Sequence, residues 1–390
     1  MFKTIYLWLI MFCSRLISKK QTSGVVYLLS FAGNEDFIIR LARRVRQEPG
    51  GRLTVLYRPN CQASAKQLRE HGITCSQFSD GGFFLIHQLK VVLQARLVFA
   101  DNYYAFLGGC VFNKEQTRVI QLWHANGAVK TFGWEEPRTK DRSTGDKNRF
   151  QKVYDQFDDF VVGSTQMAEV FCNSYHQSME KMQVLGYPRT DLLFAKEKKA
   201  HKRKQILQQH PELQDKEIIL YAPTYRETAT GEIYFDLPAD FTEMLAHLNQ
   251  KQVVVMKLHP HVKEKAAELK KLSLPHVVWV DDFSTNDLLL ITQRLVTDYS
   301  SVIFDYSLLE NAQQIIFYCY DFENYSQVVG VQQDFSEWLP GRLVKTADQL
   351  EEQLLQPLTS SDFSTFNELW NTANDGHAVQ RVIENYFYGN

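Results

Sequence analysis

The 390-residue chain has no apolar run long enough to cross a bilayer, no C-x-x-C pair and almost no net charge. A spanning helix needs about 20 apolar residues, and the longest candidate, Thr4 to Cys13, falls well short of that. The six cysteines (Cys13, Cys61, Cys75, Cys110, Cys172 and Cys319) are scattered. That spacing fits a reducing cytosol and excludes a cysteine-based zinc site. A net charge of −2 argues against nucleic acid as the main partner, because binding a phosphate backbone requires a clear cationic excess. There is no short-period repeat and no low-complexity segment, and no small-residue cleavage site follows the N-terminal apolar run, which sets aside a cleaved signal peptide.

What the chain does have is apolar bulk. It is 44% hydrophobic and 13% aromatic over 390 residues, and single cores stop growing at roughly 250–300 residues, so two domains are expected. At the N-terminus Phe2, Ile5, Leu9, Phe12 and Leu16 recur at helical spacing, with Tyr6 and Trp8 suited to a headgroup zone. This amphipathic helix either lies in a membrane interface or docks on the protein's own core. The flanking Lys3, Arg15, Lys19 and Lys20 favour the membrane surface, where anionic lipid attracts them.

Beyond it, short β-branched or aromatic runs alternate with helical patterns. Strands are expected at Val25–Phe31, Leu53–Tyr57, Leu97–Ala100, Val119–Trp123 and Phe160–Val162, with helices over Glu35–Gln47 and Phe83–Gln94. A second series follows at Ile218–Tyr221, Val253–Leu258, Val277–Val280, Leu295–Thr297 and Ile315–Tyr318, with helices near Phe241–Leu248 and Lys263–Leu272. The pattern predicts an α/β chain of two doubly wound parallel sheets. The expected division is an interface helix over 1–20, a first domain over 21–195, a Lys-rich linker over 196–216 and a second domain over 217–390.

Ligands of open parallel sheets bind beyond the carboxyl ends of the strands, so the residues there are the candidates. One strand delivers His124, followed by Asn126, Gly127 and Lys130; another delivers His259. Imidazole exchanges protons near neutral pH, or stabilises phosphate when charged, although a strand-end histidine also serves simply to bond a loop. Thr224 and Arg226 follow a third strand and offer a hydroxyl and a guanidinium to phosphate; the alternative is an Arg226–Glu227 surface pair. Arg189 and Asp191 close the first domain as ligand groups or as a turn fixed by Pro188. In the stretch Leu288–Asp305, a strand ending at Asp298 runs into Ser300 and Ser301, which open a helix whose N–H groups would collect phosphate or which they merely cap.

Taken in order, Gln-Leu-Trp-His-Ala, Gly-Tyr-Pro-Arg-Thr-Asp, Tyr-Ala-Pro-Thr-Tyr-Arg, Lys-Leu-His-Pro and Thr-Asp-Tyr-Ser-Ser-Val-Ile-Phe-Asp-Tyr resemble the CDP-glycerol glycerophosphotransferases of teichoic acid synthesis, from about Gln121 to the end. The resemblance implies a GT-B fold, with two Rossmann-like domains facing across a deep cleft, and no cofactor or protein-bound metal. It implies transfer of glycerol phosphate from CDP-glycerol to a lipid-linked hydroxyl, releasing CMP. His124 would be the general base and His259 would support the departing CMP. Ser300 and Ser301 would hold donor phosphates, with Thr224 and Arg226 along the donor; Asp298 and Asp305 would support loop and helix or touch the donor. Polymerising members often read Trp-His-Gly-Thr-Pro where this chain reads Trp-His-Ala-Asn-Gly, which resembles the primase branch. The implied acceptor is an undecaprenyl-diphosphate-linked N-acetylmannosaminyl-N-acetylglucosamine at the cytoplasmic face of the membrane, with other teichoic acid enzymes as neighbours. A later glycerol- or ribitol-phosphate transferase or polymerase, a nucleotide-sugar glycosyltransferase of the same fold and a catalytically silent membrane scaffold are the alternatives.

Overall fold

The structure, a computed structural model, describes residues 2–17, 24–78, 82–228 and 230–388. The chain divides into two compact units. The first comprises Met1–Asn126, Asp141–Asp191 and Thr372–Asn390, and the second Gly127–Lys140 and Leu192–Asn371.

The first unit is built on β1 (Gly24–Leu29), β2 (Arg52–Tyr57), β3 (Thr74–Gln77), β4 (Leu97–Ala100), β5 (Arg118–Gln121), β6 (Asp159–Val162) and β7 (Met182–Val184). All pair in parallel in the order β3-β2-β1-β4-β5-β6-β7. Its central strands are apolar on both faces because helices cover both; Glu35–Val45, for one, buries Phe37, Ile38, Leu41, Ala42 and Val45. The second unit repeats the plan with β8 (Glu217–Tyr221), a short antiparallel hairpin of β9 (Arg226–Glu227) and β10 (Ile233–Tyr234), then β11 (Gln252–Met256), β12 (Val277–Trp279), β13 (Arg294–Thr297), β14 (Gln314–Tyr318) and β15 (Arg342–Val344). The main sheet runs β12-β11-β8-β13-β14-β15, again parallel. Each sheet therefore turns back beside its first strand, the order of a Rossmann fold.

The expected α/β class stands, and the division of the chain differs: Gly127–Lys140, expected in the first domain, belongs to the second unit. The Lys-rich stretch expected as a linker over 196–216 forms the helix Lys196–Gln209, in which only Ile206 is buried. Lysine, glutamine and glutamate are good helix formers even where packing contributes little. The C-terminal helix Ala378–Phe387, expected in the second domain, packs on the first sheet through Val379, Val382 and Tyr386. Tyr386 meets Phe99 of β4 edge to face at 5.6 Å.

The N-terminal helix, Phe2–Leu16, is docked on one side and open on the other. Ile10 is fully buried, and the Ser14 hydroxyl accepts the Val111 N–H at 2.8 Å. Gly109 makes the approach possible, since a Cβ there would lie 2.6 Å from the Leu7 carbonyl oxygen. Ile5, Trp8, Leu9, Phe12 and Leu16 remain exposed, with Trp8 57% and Leu16 70% accessible. Among the described residues no helix is long and apolar enough to cross a membrane. Lys19 and Lys20 lie outside the described residues.

Candidate active site

In the first unit the strand-end residues converge on His124. β5 stops at Gln121, and Trp123 turns the chain at a φ of +61°, which presents the next side chain to the loop after β1. The His124 ring stacks on Phe31 at 4.1 Å and lies 4.2 Å from the Trp123 ring. Its Nδ1 is 3.3 Å from the Asp101 carbonyl oxygen. A carbonyl only accepts, so Nδ1 carries the proton and Nε2 keeps its lone pair. Burial, with Arg189 nearby, pushes the imidazole down to about 4 despite that bond; it is neutral at physiological pH.

Asp101, at the end of β4, holds the loop after β1 in place. Its carboxylate accepts the N–H groups of Ser30 (2.8 Å) and Phe31 (3.0 Å) and the Tyr104 hydroxyl (3.0 Å). Desolvation raises it to about 7 against those hydrogen bonds. Arg189 lies over Gly33, whose φ is +107° and whose missing Cβ would lie 2.8 Å from the Arg189 Cδ. Arg189 also lies close enough to His124 for its charge to disfavour the imidazolium. The structure gives Asp191 another duty: its two oxygens accept the Ala378 and Val379 N–H groups at 2.9 Å and 2.9 Å, satisfying the first turn of the C-terminal helix. Asn126, a candidate beside His124, is buried with its side-chain oxygen bonded to the Asn374 amide.

The second unit carries the other candidates. A cavity of about 700 Å³ at the carboxyl ends of β8 and β11 is lined by Ala222, Met256, Lys257, His259, Asp282, Ser284 and Ser300 among others. The His259 Nδ1 accepts the His261 N–H at 3.2 Å, so in the neutral ring the proton sits on Nε2. Desolvation, His261 and Lys130 hold its pKa below the ordinary histidine value. The Lys130 ammonium lies over the rings of Tyr225 (5.3 Å) and Tyr325 (5.7 Å), and desolvation lowers its pKa. Lys257 donates to the Val280 and Phe283 carbonyls at 2.9 Å and 2.6 Å and so shapes the cavity wall; neither it nor Asp101 was singled out from sequence.

Several expected ligand groups are spent on structure. Arg226 is only 3% exposed. Its guanidinium donates to Asp298 (2.8 Å), to both oxygens of Asp321 (2.6 and 3.0 Å) and to Thr224 (2.8 Å to the carbonyl), leaving little to offer a donor and no pair with Glu227, which Arg138 takes instead. Asp298 also accepts the N–H groups of Thr224 (2.8 Å) and Tyr299 (2.7 Å). Gly127 makes a close approach, but to the ring of Phe304, 2.7 Å from where its Cβ would be. The helix opened by Ser300 and Ser301 is only Val302–Tyr306; Ser301 caps it without a side-chain bond, and Ser300 Oγ accepts the Val302 N–H at 3.3 Å. So short a helix carries little dipole field for a phosphate. Asp305 is buried on it, and Ser300 alone of this group lines the cavity.

Residues 81–388 match the family described as CDP-Glycerol:Poly(glycerophosphate) glycerophosphotransferase. The chain is 32% identical over 365 residues to the teichoic acid glycerol-phosphate primase of Bacillus subtilis (strain 168), covering 93% of this chain and 91% of that one. It is 28% identical over 347 residues to the teichoic acid ribitol-phosphate primase of Bacillus spizizenii, covering 87% and 84%. Among solved structures it is similar to the wall teichoic acid polymerase TagF, with a TM-score of 0.68 at 19% identity over 97% of this chain and 92% of that one. A UDP-GlcNAc 2-epimerase from Neisseria meningitidis also aligns, with a TM-score of 0.57 at 12% identity over 94% of this chain and 100% of that one. The fold is thus of GT-B type and by itself does not select a reaction.

Proposed function

The chain belongs to the CDP-glycerol:poly(glycerophosphate) glycerophosphotransferase family and is a glycerophosphotransferase of teichoic acid synthesis; from that premise we propose that it primes the polymer. It transfers one glycerol phosphate from CDP-glycerol to the N-acetylmannosamine of an undecaprenyl-diphosphate-linked disaccharide, releasing CMP. It acts as a peripheral protein at the cytoplasmic face of the membrane, on which the open side of the Phe2–Leu16 helix rests.

His124 is the general base. The observation that carries this role is its tautomer, with Nδ1–H on the Asp101 carbonyl and the lone pair therefore on Nε2. Nε2 takes the proton of the acceptor hydroxyl as its oxygen attacks the glycerol-bearing phosphorus. The new P–O bond forms, the bridging P–O bond breaks, and its electron pair leaves with CMP. Arg189 supplies positive charge beside the base. In the second unit the nucleotide occupies the cavity bounded by Lys257 and Ser300, where the diphosphate meets the Lys130 ammonium and the Nε2–H of His259. Thr224, Asp298 and Arg226 act by fixing the loop rather than by touching the donor. Positioning and charge neutralisation are what phosphoryl-type transfer chiefly requires.

The test is incubation of the purified protein with CDP-glycerol and a synthetic lipid-linked disaccharide, with mass spectrometry counting added units. One unit is expected. A ladder of products makes the protein a polymerase, and product from CDP-ribitol alone overturns the donor assignment.

A further inference from the structure

A second cavity, of about 440 Å³, lies in the first unit where the N-terminal helix meets Thr144–Tyr154. That is within the roughly 300–1,000 Å³ of small-molecule sites. Its walls are mostly apolar: Leu7 from the first helix, Phe150 from the second, and Tyr103 and Ala105 from the loop after β4. Tyr103 meets Phe150 edge to face at 5.5 Å. The rim carries two cations against one carboxylate, Lys3 and Arg149 both turned to Asp146, which leaves an excess of one positive charge. Arg149 also donates to Thr4 at 3.1 Å, tying the rim to the N-terminal helix.

Three features indicate the occupant. The cavity opens beside the helix whose outer face exposes Ile5, Trp8, Leu9 and Phe12, so an apolar chain leaving it would pass to an apolar surface. Its cationic rim complements an anionic diphosphate. Tyr103 follows two residues after Asp101, whose carbonyl holds His124, so at most roughly 7 Å of backbone separates them. Resting on the reading of the protein as a lipid-acceptor transferase, we infer that this cavity binds the first isoprene units of the acceptor's polyprenyl chain, with the diphosphate at Lys3 and Arg149. The N-terminal helix is then a wall of the acceptor site as well as a membrane contact.

The experiment compares two acceptors bearing the same disaccharide diphosphate, one on a full-length polyprenyl chain and one on a short water-soluble alkyl chain, both in detergent micelles so that membrane docking is not read. Ala105→Trp fills the cavity from an exposed position. It should raise the ratio of the long-chain KM to the short-chain KM at least tenfold over wild type. A photoreactive isoprenyl diphosphate should label wild-type protein at residues 103–105 or 144–150, and this labelling should be lost in Ala105→Trp. An unchanged KM ratio, or labelling elsewhere, overturns the lipid site while leaving the transferase reading intact. Failure of wild type to glycerophosphorylate either acceptor overturns the transferase reading instead.

Discussion

The two units use the same device and charge it differently. In each, an aspartate just past the fourth strand in sequence of the main sheet, Asp101 after β4 and Asp298 after β13, accepts backbone N–H groups from the loop after the first strand, Ser30 and Phe31 in one case and Thr224 in the other. Asp298 is neutralised by Arg226. Asp101 is held by backbone amides and the Tyr104 hydroxyl, and desolvation raises its pKa to about 7. The histidines differ in the same manner. His124 gives its Nδ1–H to a carbonyl, whereas His259 receives an N–H at Nδ1. Strand-end histidines thus present a lone pair in one unit and a donor in the other, the division of labour that base and leaving-group support would require.

The sharpest way to break that comparison is substitution of the two rings. His124→Ala should lower kcat by about 10²–10⁴-fold, and His124→Gln should be no better, because an amide cannot take a proton. His259→Gln retains an N–H donor and should keep more activity than His259→Ala, which should lose roughly 10²-fold. An equal response of both histidines to glutamine in steady-state kinetics would refute the opposed tautomers.

Next in size is the pair of aspartates. Asp298→Ala leaves Arg226 with Asp321 as its remaining carboxylate, and buried pairs broken on one side cost about 3–5 kcal/mol; hydrogen exchange of the β13 amides should show a loss near the low end of that range. Asp101→Asn should change little at neutral pH and alter the pH dependence instead. The fold raises the Asp101 pKa above its unfolded value, so its stabilising contribution is fully present below about pH 4 and is lost as pH rises through about 7, by at most about 4 kcal/mol. The protection of β1 amides should decline over that range in wild type and stay flatter in Asp101→Asn.

The smallest effect is a shift along the pH axis. With His124 near 4, the acidic limb of kcat/KM should fall only as pH drops towards that value. Phe31→Ala exposes the ring to water and should move the limb up towards the ordinary histidine value of about 6.5. An acidic limb already near 6.5 in wild type would assign the base elsewhere.

The central strands were legible because strands buried on both faces must be continuous apolar runs. β3, β7 and β15 were not. They are edge strands, and sequences such as Thr-Cys-Ser-Gln carry no such run. Strand ends pointed to His124 and His259, but a sequence shows a charge without showing what satisfies it. Arg226 looked like a phosphate ligand until Asp298 and Asp321, 72 and 95 residues away, accounted for its donors. Asp191 likewise looked like a ligand until it met amides 187 and 188 residues on. Asp101 was missed for the same reason, its partners Ser30 and Phe31 lying 71 and 70 residues upstream.

The return of Ala378–Phe387 to the first sheet sets an order on synthesis. The ribosome makes β1 through β7 before the strands of the second unit, yet Val379, Val382 and Tyr386 and the amides that quench Asp191 arrive after all of those strands. The second unit, encoded wholly before residue 372, has all of its segments while the earlier-born sheet still waits for its covering helix. The sheet whose strands are made first is therefore the one whose covering helix is made after the whole of the second unit.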